Sequence, residues 1–276
     1  MENHSHRENV LERIVEARRE SVAHRKRVLP DVALKIATQK IEPPRDFPGA
    51  LLLDGLNVIA ELKRASPSRG VIRAEYRPAE LAPKLEAAGA RALSVLTEED
   101  FFFGSLQDLK AAHKVTEIPL LRKDFIIDPW QVWEARAAGA DSFLLITAIL
   151  RDEELREMLE LGRSLKMEPL VEVHSREELD RALAVGAHII GVNNRDLRNF
   201  DVRLETSLDL IEAIPDECLA VSESGLHSHN DLARLRSAGF DAFLIGEYLM
   251  KEADPCVPLR DLMGAVGLNR TSHTRA

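Results

Sequence analysis

The sequence lacks the features that direct a protein out of a reducing compartment or into a membrane. Only two of its 276 residues are cysteines, Cys218 and Cys256, which excludes a disulfide framework. The charged N-terminus has no apolar segment of the kind found in signal peptides. Apolar stretches such as residues 143–150 are far shorter than the ~20 residues that span a bilayer. We therefore expect a cytoplasmic protein that does not contact a membrane.

An excess of positive charge is also missing. The chain has 46 acidic and 37 basic residues, a net charge of −9, so it has no basic surface for nucleic acid. An anionic substrate would have to meet locally placed lysines, arginines or backbone N–H groups. The pairs His4/His6 and His227/His229 have no further ligands at metal-binding spacing, so we expect no metal site.

A weak internal repeat predicts the fold. Four segments, at 86–95, 136–145, 183–192 and 236–245, each pass from a helical pattern through a glycine into an apolar run. Four further apolar runs, at 57–63, 118–124, 168–174 and 217–224, alternate with them. Eight strands with room for one helix after each predict a (β/α)8 TIM barrel, which needs about 250 residues. A doubly wound sheet is the alternative, but no glycine-rich dinucleotide turn follows the first strand.

Residues 1–47 precede the first strand. Apolar residues at helical spacing predict one amphipathic helix from residue 10 and a second over 31–39, before Pro43, Pro44 and Pro48 break helicity. We expect 1–47 to form a helical extension packed on the barrel, with one of the barrel mouths as a candidate location. The expected catalytic barrel covers 48–266, and 267–276 would be a flexible tail.

Charged and polar residues stand at the ends of the predicted strands, where barrel enzymes carry their active sites. Strand alternation places Glu61 and Lys63 on one face, and likewise Glu172 with His174 and Asn193 with Arg195. Ion pairs that merely close the barrel mouth would explain one or two of these residues, but not the whole set. The set comprises Glu61, Lys63, Lys123, Asp124, Glu172, His174, Asn193, Asn194, Arg195, Glu223, Ser224, Gly246 and Glu247.

Small residues after the first, seventh and eighth strands indicate an anion site. Ser66 and Ser68 follow the first strand, Ser224 and Gly225 the seventh, and Gly246 the eighth. Each alone is typical of an ordinary turn. Together, in loops that bind phosphate in many barrels, they predict a phosphorylated small-molecule substrate.

The strand-end motifs resemble one family, the indole-3-glycerol-phosphate synthases, in order from about residue 5 to residue 265. The motifs are IAELKRASPSRG (59–70), LSVLTEEDFFFGS (93–105), LLRKDFIID (120–128), LVEVH (170–174), GVNNRDL (191–197), VSESGL (221–226) and FLIGEYLM (243–250). The resemblance implies a carboxy-lyase of tryptophan biosynthesis. It would convert 1-(2-carboxyphenylamino)-1-deoxyribulose 5-phosphate to indole-3-glycerol phosphate, carbon dioxide and water, without cofactor or metal.

The resemblance also implies residue roles. Lys123 resembles the general acid of ring closure, and Glu172 a carboxylate that stabilises positive charge on the anilino nitrogen or relays a proton. The other catalytic candidates are Glu61 and Lys63 for loss of hydroxide as water, Asn193 for ordering substrate groups, and Glu223. The substrate-binding candidates are Arg195 for hydroxyls and carboxylates, Ser66, Ser224, Gly225, Gly246 and the Glu247 backbone for phosphate, and Phe102, Phe125, Leu144 and Leu197 for the aromatic ring.

Two positions depart from relatives. His174 stands where some carry asparagine, and Glu247 where others carry serine or threonine. A Glu247 side chain pointing at phosphate would be repelled by it. We also expect Lys63 and Lys123, if close together, to lower each other's pKa toward neutrality, which would suit an acid catalyst.

Three other functions stay open at this stage. A sister isomerase acting on phosphoribosylanthranilate would leave two strand-end lysines unexplained. A Schiff-base aldolase would use Lys123 or Lys63 as nucleophile. A non-catalytic barrel would bind phosphate without turnover. No interface pattern is readable, so we expect a monomer, with contact to other tryptophan-pathway enzymes left open.

Overall fold

Eight parallel strands close into a barrel in the order of the sequence, with β1 paired to both β2 and β8. The computed structural model describes residues 10–196 and 201–264. The strands are β1 (Asn57–Leu62), β2 (Ala92–Leu96), β3 (Leu120–Lys123), β4 (Ser142–Ile146), β5 (Leu170–Val173), β6 (Ile189–Asn193), β7 (Leu219–Glu223) and β8 (Ala242–Ile245). The predicted TIM barrel is confirmed.

Helices connect the strands on the outside. Three precede the barrel, α1 (Val10–Val28), α2 (Asp31–Thr38) and α3 (Phe47–Leu51). The others are α4 (Pro78–Ala87), α5 (Leu106–His113), α6 (Pro129–Ala137), α7 (Asp152–Ser164), α8 (Arg176–Ala184), α9 (Glu205–Ile211), α10 (His229–Ala238), α11 (Glu247–Met250) and α12 (Cys256–Met263). A short hairpin pairs Ala65–Ser66 with Gly70–Val71 in the loop after β1.

The strand side chains alternate between two apolar layers. Val58, Ala60 and Leu62 of β1 pack in the large cluster beneath the helices. Ile59 points the other way and packs inside the barrel, in a cluster that also contains Leu121. This alternation explains the continuous apolar strand sequences, since both faces of each strand are buried.

The amino-terminal end of the barrel is closed by α3. Asp46 caps this helix by accepting the N–H of Gly49, and Phe47 and Leu51 bury completely in the barrel interior. Asn57, at the start of β1, donates its side-chain amide to the carbonyl oxygens of Leu51 and Leu53. The amino-terminal mouth of the barrel is therefore filled by side chains of α3.

The helix α1 lies at the opposite, carboxyl-terminal end of the strands. Its Ile14 packs with Phe125 and Ile146, and the buried Arg18 lies 3.0 Å from Asp124 Oδ1. The helix α2 packs against α6, where Leu34 contacts Trp130. The extension thus packs on the barrel, whereas its division from the barrel at residue 47 stays a prediction. The tail predicted at 267–276 lies outside the described residues.

No helix within the described ranges is both long and apolar enough to span a membrane.

Candidate active site

A cavity of about 320 Å³ opens at the carboxyl ends of the strands. Each described residue with a predicted catalytic or binding role lines this cavity, whereas His174 and Asn194, also predicted at the strand ends, are not among the lining residues. Leu197 lies outside the described residues. The lining set contains Glu61, Lys63, Ser66, Phe102, Lys123, Phe125, Leu144, Glu172, Asn193, Arg195, Glu223, Ser224, Gly225, Gly246 and Glu247. Residues up to 186 positions apart in the chain meet here because all parallel strands end at this mouth.

Lys123, at the end of β3, lines the cavity. Its Nζ lies 3.3 Å from Glu172 Oε2 and 3.5 Å from Glu223 Oε2. Burial by itself would lower the pKa of Lys123, but the acidic side chains of Glu172, Glu223 and Glu61 outweigh burial and raise it. Lys123 is therefore an ammonium at neutral pH.

The expectation that Lys63 and Lys123 lower each other's pKa is wrong for Lys123. Lys63 has its own carboxylate, because its Nζ lies 2.9 Å from Glu61 Oε1. Each lysine is thus matched with acidic groups, and attraction to them dominates the pKa of Lys123. Sequence spacing could indicate that the lysines share a mouth, but not which charges lie nearest to each.

The two carboxyl groups beside Lys123 differ in protonation. Burial favours the neutral form of both, but Lys123, His174 and a hydrogen bond from Asn193 hold the pKa of Glu172 well below its usual range. For Glu223, burial together with the charges of Glu172 and Glu61 outweighs Lys123 and raises the pKa to about 8. At neutral pH the pair beside Lys123 therefore consists of one carboxylate, Glu172, and one largely protonated carboxyl group, Glu223.

Two glycines make room for the acidic side chains. A Cβ added to Gly191, in the middle of β6, would overlap Glu223 Oε1. A Cβ on Gly246 would lie 2.7 Å from the Glu61 carboxyl carbon. Gly191 was not predicted as a site residue, although a glycine inside an apolar strand is a recognised signal of close approach by another group.

The Glu247 side chain spans the mouth. Its Oε1 lies 3.1 Å from Arg69 Nε and its Oε2 lies 3.3 Å from Arg195 Nη2. The carboxylate is thus turned toward two arginines, whose positive charges balance its negative charge. Arg69 was not predicted from the sequence, since only Ser66 and Ser68 of its loop were assigned to the anion site.

The loop after β7 has an uncommon backbone. Ser224 has φ +67° and Gly225 φ +75°, and a Cβ at Gly225 would clash with Val202 at 2.5 Å. A non-glycine residue in the left-handed region costs free energy and is often retained where a loop binds a ligand. Ser66, from the loop after β1, lines the same cavity, and its Oγ lies 3.4 Å from Ser68 Oγ.

The apolar wall is formed by Phe102, Phe125 and Leu144. The two phenylalanine rings lie 6.0 Å apart between centroids and are tilted by 39°. The loop carrying Phe102 is held by Glu98, whose carboxylate accepts the backbone N–H groups of residues 100–102. Such a wall suits a flat aromatic group.

Within residues 10–196 and 201–264, no three His, Cys, Asp or Glu side chains are grouped so that they could hold a metal ion.

Similarity to known proteins identifies the family to which this chain belongs. A sequence model described as indole-3-glycerol phosphate synthase matches residues 11–262. A synthase of that name from Koribacter versatilis is 51% identical over 80% of this chain and 86% of its own length. Those from Chloroherpeton thalassium and Acidithiobacillus ferrooxidans are 48% and 46% identical, over 87% and 92% of this chain and 94% and 98% of theirs.

Solved structures support the fold alone. The 3-hexulose-6-phosphate synthase from Salmonella typhimurium superimposes with a TM-score of 0.60 at 12% identity, over 75% of this chain and 97% of its own. A thiamine phosphate pyrophosphorylase from Pyrococcus furiosus gives 0.56 at 16% identity, over 75% and 93%. The matched family model and the identity over most of the chain establish that this protein belongs to the indole-3-glycerol phosphate synthase family.

Proposed function

We propose that the cavity converts 1-(2-carboxyphenylamino)-1-deoxyribulose 5-phosphate to indole-3-glycerol phosphate, carbon dioxide and water. The observation that carries the residue roles is the position of the Lys123 ammonium between an ionised and a protonated carboxyl group at the floor of a cavity with an apolar wall. Ring closure, decarboxylation and dehydration each require a charge or proton that this set can supply.

In ring closure the Lys123 ammonium donates a proton to the substrate carbonyl oxygen as the aromatic carbon attacks the carbonyl carbon. The oxygen becomes a hydroxyl group, and positive charge passes to the anilino nitrogen. The anionic Glu172 stabilises this charge from within a buried site, where electrostatic stabilisation is strongest. Protonated Glu223, 3.5 Å from Nζ, returns a proton to the lysine.

Loss of carbon dioxide leaves the bonding electrons in the ring and cancels the positive charge. Lys63, at the rim of the cavity, holds the carboxylate until it leaves. In dehydration Lys63 then donates a proton to the leaving hydroxyl, and Glu61 accepts the proton lost from the substrate. Their 2.9 Å contact allows this pair to act as an acid and a base together.

The binding roles follow the position of each residue around the cavity. Ser66, Ser224, Gly225, Gly246 and the Glu247 backbone hold the phosphate, and Phe102, Phe125 and Leu144 enclose the aromatic ring. Leu197 stays a predicted contact of the ring. Arg195 and Asn193 order the hydroxyls. The backbone N–H of Arg195 donates a hydrogen bond to Asn193 Oδ1 at 3.0 Å, which fixes the Asn193 side chain.

A Schiff-base aldolase is disfavoured by the charge of Lys123. Attack on a carbonyl requires the neutral amine, and the raised pKa makes that form scarce at neutral pH. Borohydride reduction in the presence of substrate should therefore leave the protein unmodified. The isomerase and binding-barrel functions are disfavoured by the second lysine and its paired Glu61.

The decisive experiment measures indole fluorescence as the ring closes on 1-(2-carboxyphenylamino)-1-deoxyribulose 5-phosphate. We expect turnover in the wild type and a loss of at least ~100-fold in Lys123→Ala, the scale of general acid catalysis. Lys110→Ala, on the exposed side of α5, is the matched control and should retain full turnover. An inactive, folded wild type, or an active Lys123→Ala variant, would contradict the proposal.

We further propose that the enzyme acts as a monomer in the cytoplasm. Two unpaired thiols, Cys218 and Cys256, suit a reducing compartment. Sedimentation velocity should give the mass of a single chain. Contact with other enzymes of tryptophan biosynthesis is not required by this site.

A further inference from the structure

His174, one residue after β5, lies between two carboxylates. Its Nε2 is 3.3 Å from Glu172 Oε1, and its Nδ1 is 3.1 Å from Glu178 Oε2. The same Glu178 oxygen accepts the His174 backbone N–H at 2.7 Å. Both the ring and the main chain of His174 are thus tied to the first turns of α8, on the side of Glu172 away from Lys123.

This geometry determines the protonation state of the ring. A neutral imidazole has one N–H donor and one bare nitrogen, and a bare nitrogen facing a carboxylate oxygen would be repelled. Only the imidazolium presents an N–H toward both carboxylates: Nδ1 lies at hydrogen-bond distance from Glu178, and Nε2 forms an ion pair with Glu172 without a directed hydrogen bond. Consistent with this, burial alone would lower the pKa of His174, but Glu172 and Glu178 together raise it to about 10.

The cation distinguishes the two acids beside Lys123. Glu172 and Glu223 are both buried, and their carboxyl groups lie at nearly equal distances from the Nζ of Lys123. The imidazolium makes direct contact only with Glu172. No described residue donates a hydrogen bond to either carboxyl oxygen of Glu223. A proton shared by this pair will therefore reside on Glu223.

We propose that His174 is a positioning residue that keeps Glu172 ionised and oriented toward the substrate, and so assigns the proton of the acidic pair to Glu223. The expected effect on catalysis rests on the proposed function, whereas the protonation of His174, Glu172 and Glu223 does not. It also selects between two roles for Glu172, because a carboxylate held by two cations stabilises charge better than it relays a proton. Glu178 affects Glu172 only indirectly, because it contacts Nδ1 of His174 and so fixes the position of the ring.

The first test needs no activity. Imidazole 15N NMR of the folded protein reports the protonation of each histidine, and His174→Gln identifies the signal that disappears. The charged groups that face the His174 ring are Glu172 and Glu178, and the charge of the ring also acts on Glu223. We expect the His174 signal to stay that of an imidazolium at pH 8. A neutral ring at pH 7.5 would overturn the proposal, whatever reaction the cavity performs.

The second test uses kinetics. His174→Gln retains a side-chain N–H but removes the charge, so the pKa of Glu172 should rise by about one unit or more. The acid limb of the kcat/KM profile should move to higher pH, with kcat falling about tenfold at the limb and KM changing less than about threefold. An unchanged profile would contradict the positioning role.

Two further variants complete the design. Glu178→Gln should shift the acid limb of the kcat/KM profile in the same direction by a smaller amount. This variant tests the proposal if His174→Gln does not fold. His188→Gln is the matched control, because this histidine is exposed and outside the cavity. Its profile should superimpose on that of the wild type. A shift in His188→Gln equal to that in His174→Gln would refute a specific effect of His174.

Discussion

At the scale of single residues, protonation in this site follows from which charges surround each buried carboxyl group. Glu172 contacts two cations, whereas Glu223 contacts Lys123 alone and has the carboxylates of Glu172 and Glu61 nearby. Gly191 permits this arrangement, because any side chain there would displace Glu223. A buried acid with a raised pKa is also a source of instability, because the folded state must keep it neutral or accept an unfavourable charge.

Glu223→Gln should therefore reduce activity and increase stability. The folded pKa of Glu223, about 8, lies above the ordinary value for glutamate, ~4.3. Between these values the folded protein binds more protons than the unfolded chain, so the stability contributed by Glu223 falls as pH rises through that window. The neutral amide has no such penalty. We expect a melting temperature higher by several degrees at pH 8, since 1 kcal/mol corresponds to roughly 2–4 °C in a large domain.

The same variant should lose at least ~100-fold in kcat, because it can neither donate nor accept a proton. Scanning calorimetry from pH 5 to pH 9, with the activity assay, checks both effects. Glu217→Gln, at an exposed position just before β7, is the control and should change neither quantity. A Glu223→Gln protein that is less stable than the wild type at every pH would contradict the raised pKa.

At the scale of elements, α1 packs against residues that adjoin the candidate active site. Arg18 is buried and lies 3.0 Å from Asp124 Oδ1 and 3.5 Å from Glu98 Oε1. Asp124 follows Lys123 directly, and Glu98 holds the loop of Phe102. Arg18 and Arg122 together lower the pKa of Asp124 against the opposing effect of burial. One side chain of the extension thus supports both Lys123, the proposed acid catalyst, and the aromatic wall.

Arg18→Met should destabilise the protein by about 3–5 kcal/mol, the usual cost of leaving one partner of a buried ion pair uncompensated. We expect kcat to fall even at temperatures where the variant is folded, because Lys123 and Phe102 lose their support. Urea unfolding and steady-state kinetics measure the two effects. Arg19→Met is the neighbouring control, since its side chain is mostly exposed. Equal behaviour of the two variants would show that Arg18 has no such role.

At the scale of the whole molecule, the two ends of the barrel have different tasks. The amino-terminal end is filled by α3 and carries packing, whereas the carboxyl-terminal end carries the charged cavity. This separation is general in barrel enzymes, where loop residues at one end vary with the reaction. Stability and catalysis should therefore be separable by mutation at opposite ends.

Phe47→Ala provides the test. Removing a fully buried phenylalanine costs about 3–5 kcal/mol, so the melting temperature should fall by roughly 6–20 °C. Turnover below the transition should stay within about twofold of the wild type, since Phe47 does not line the cavity. Leu52→Ala, beside the same helix but exposed, should leave both quantities unchanged. A large loss of turnover in folded Phe47→Ala would show that the two ends are coupled.

The sequence by itself determined the strands of the barrel and most of the polar residues that line its carboxyl-terminal mouth. Gly89, Gly139, Gly186 and Gly239 each precede a strand and have positive φ, as the repeat requires. Local preferences and the period of apolar residues act over a few residues, so they can be read directly from the chain. Because parallel strands of a closed barrel end at one mouth, their terminal polar residues could be grouped without coordinates.

Only the tertiary structure decided the electrostatics. The pKa of Lys123 rises instead of falling, Glu247 faces Arg69 and Arg195, and His174 lies between Glu172 and Glu178. These outcomes depend on distances of a few ångströms between residues far apart in the chain, and Coulomb energies and desolvation vary steeply over such distances. A sequence specifies which charges meet at a barrel mouth, whereas their packing decides which of them carry protons.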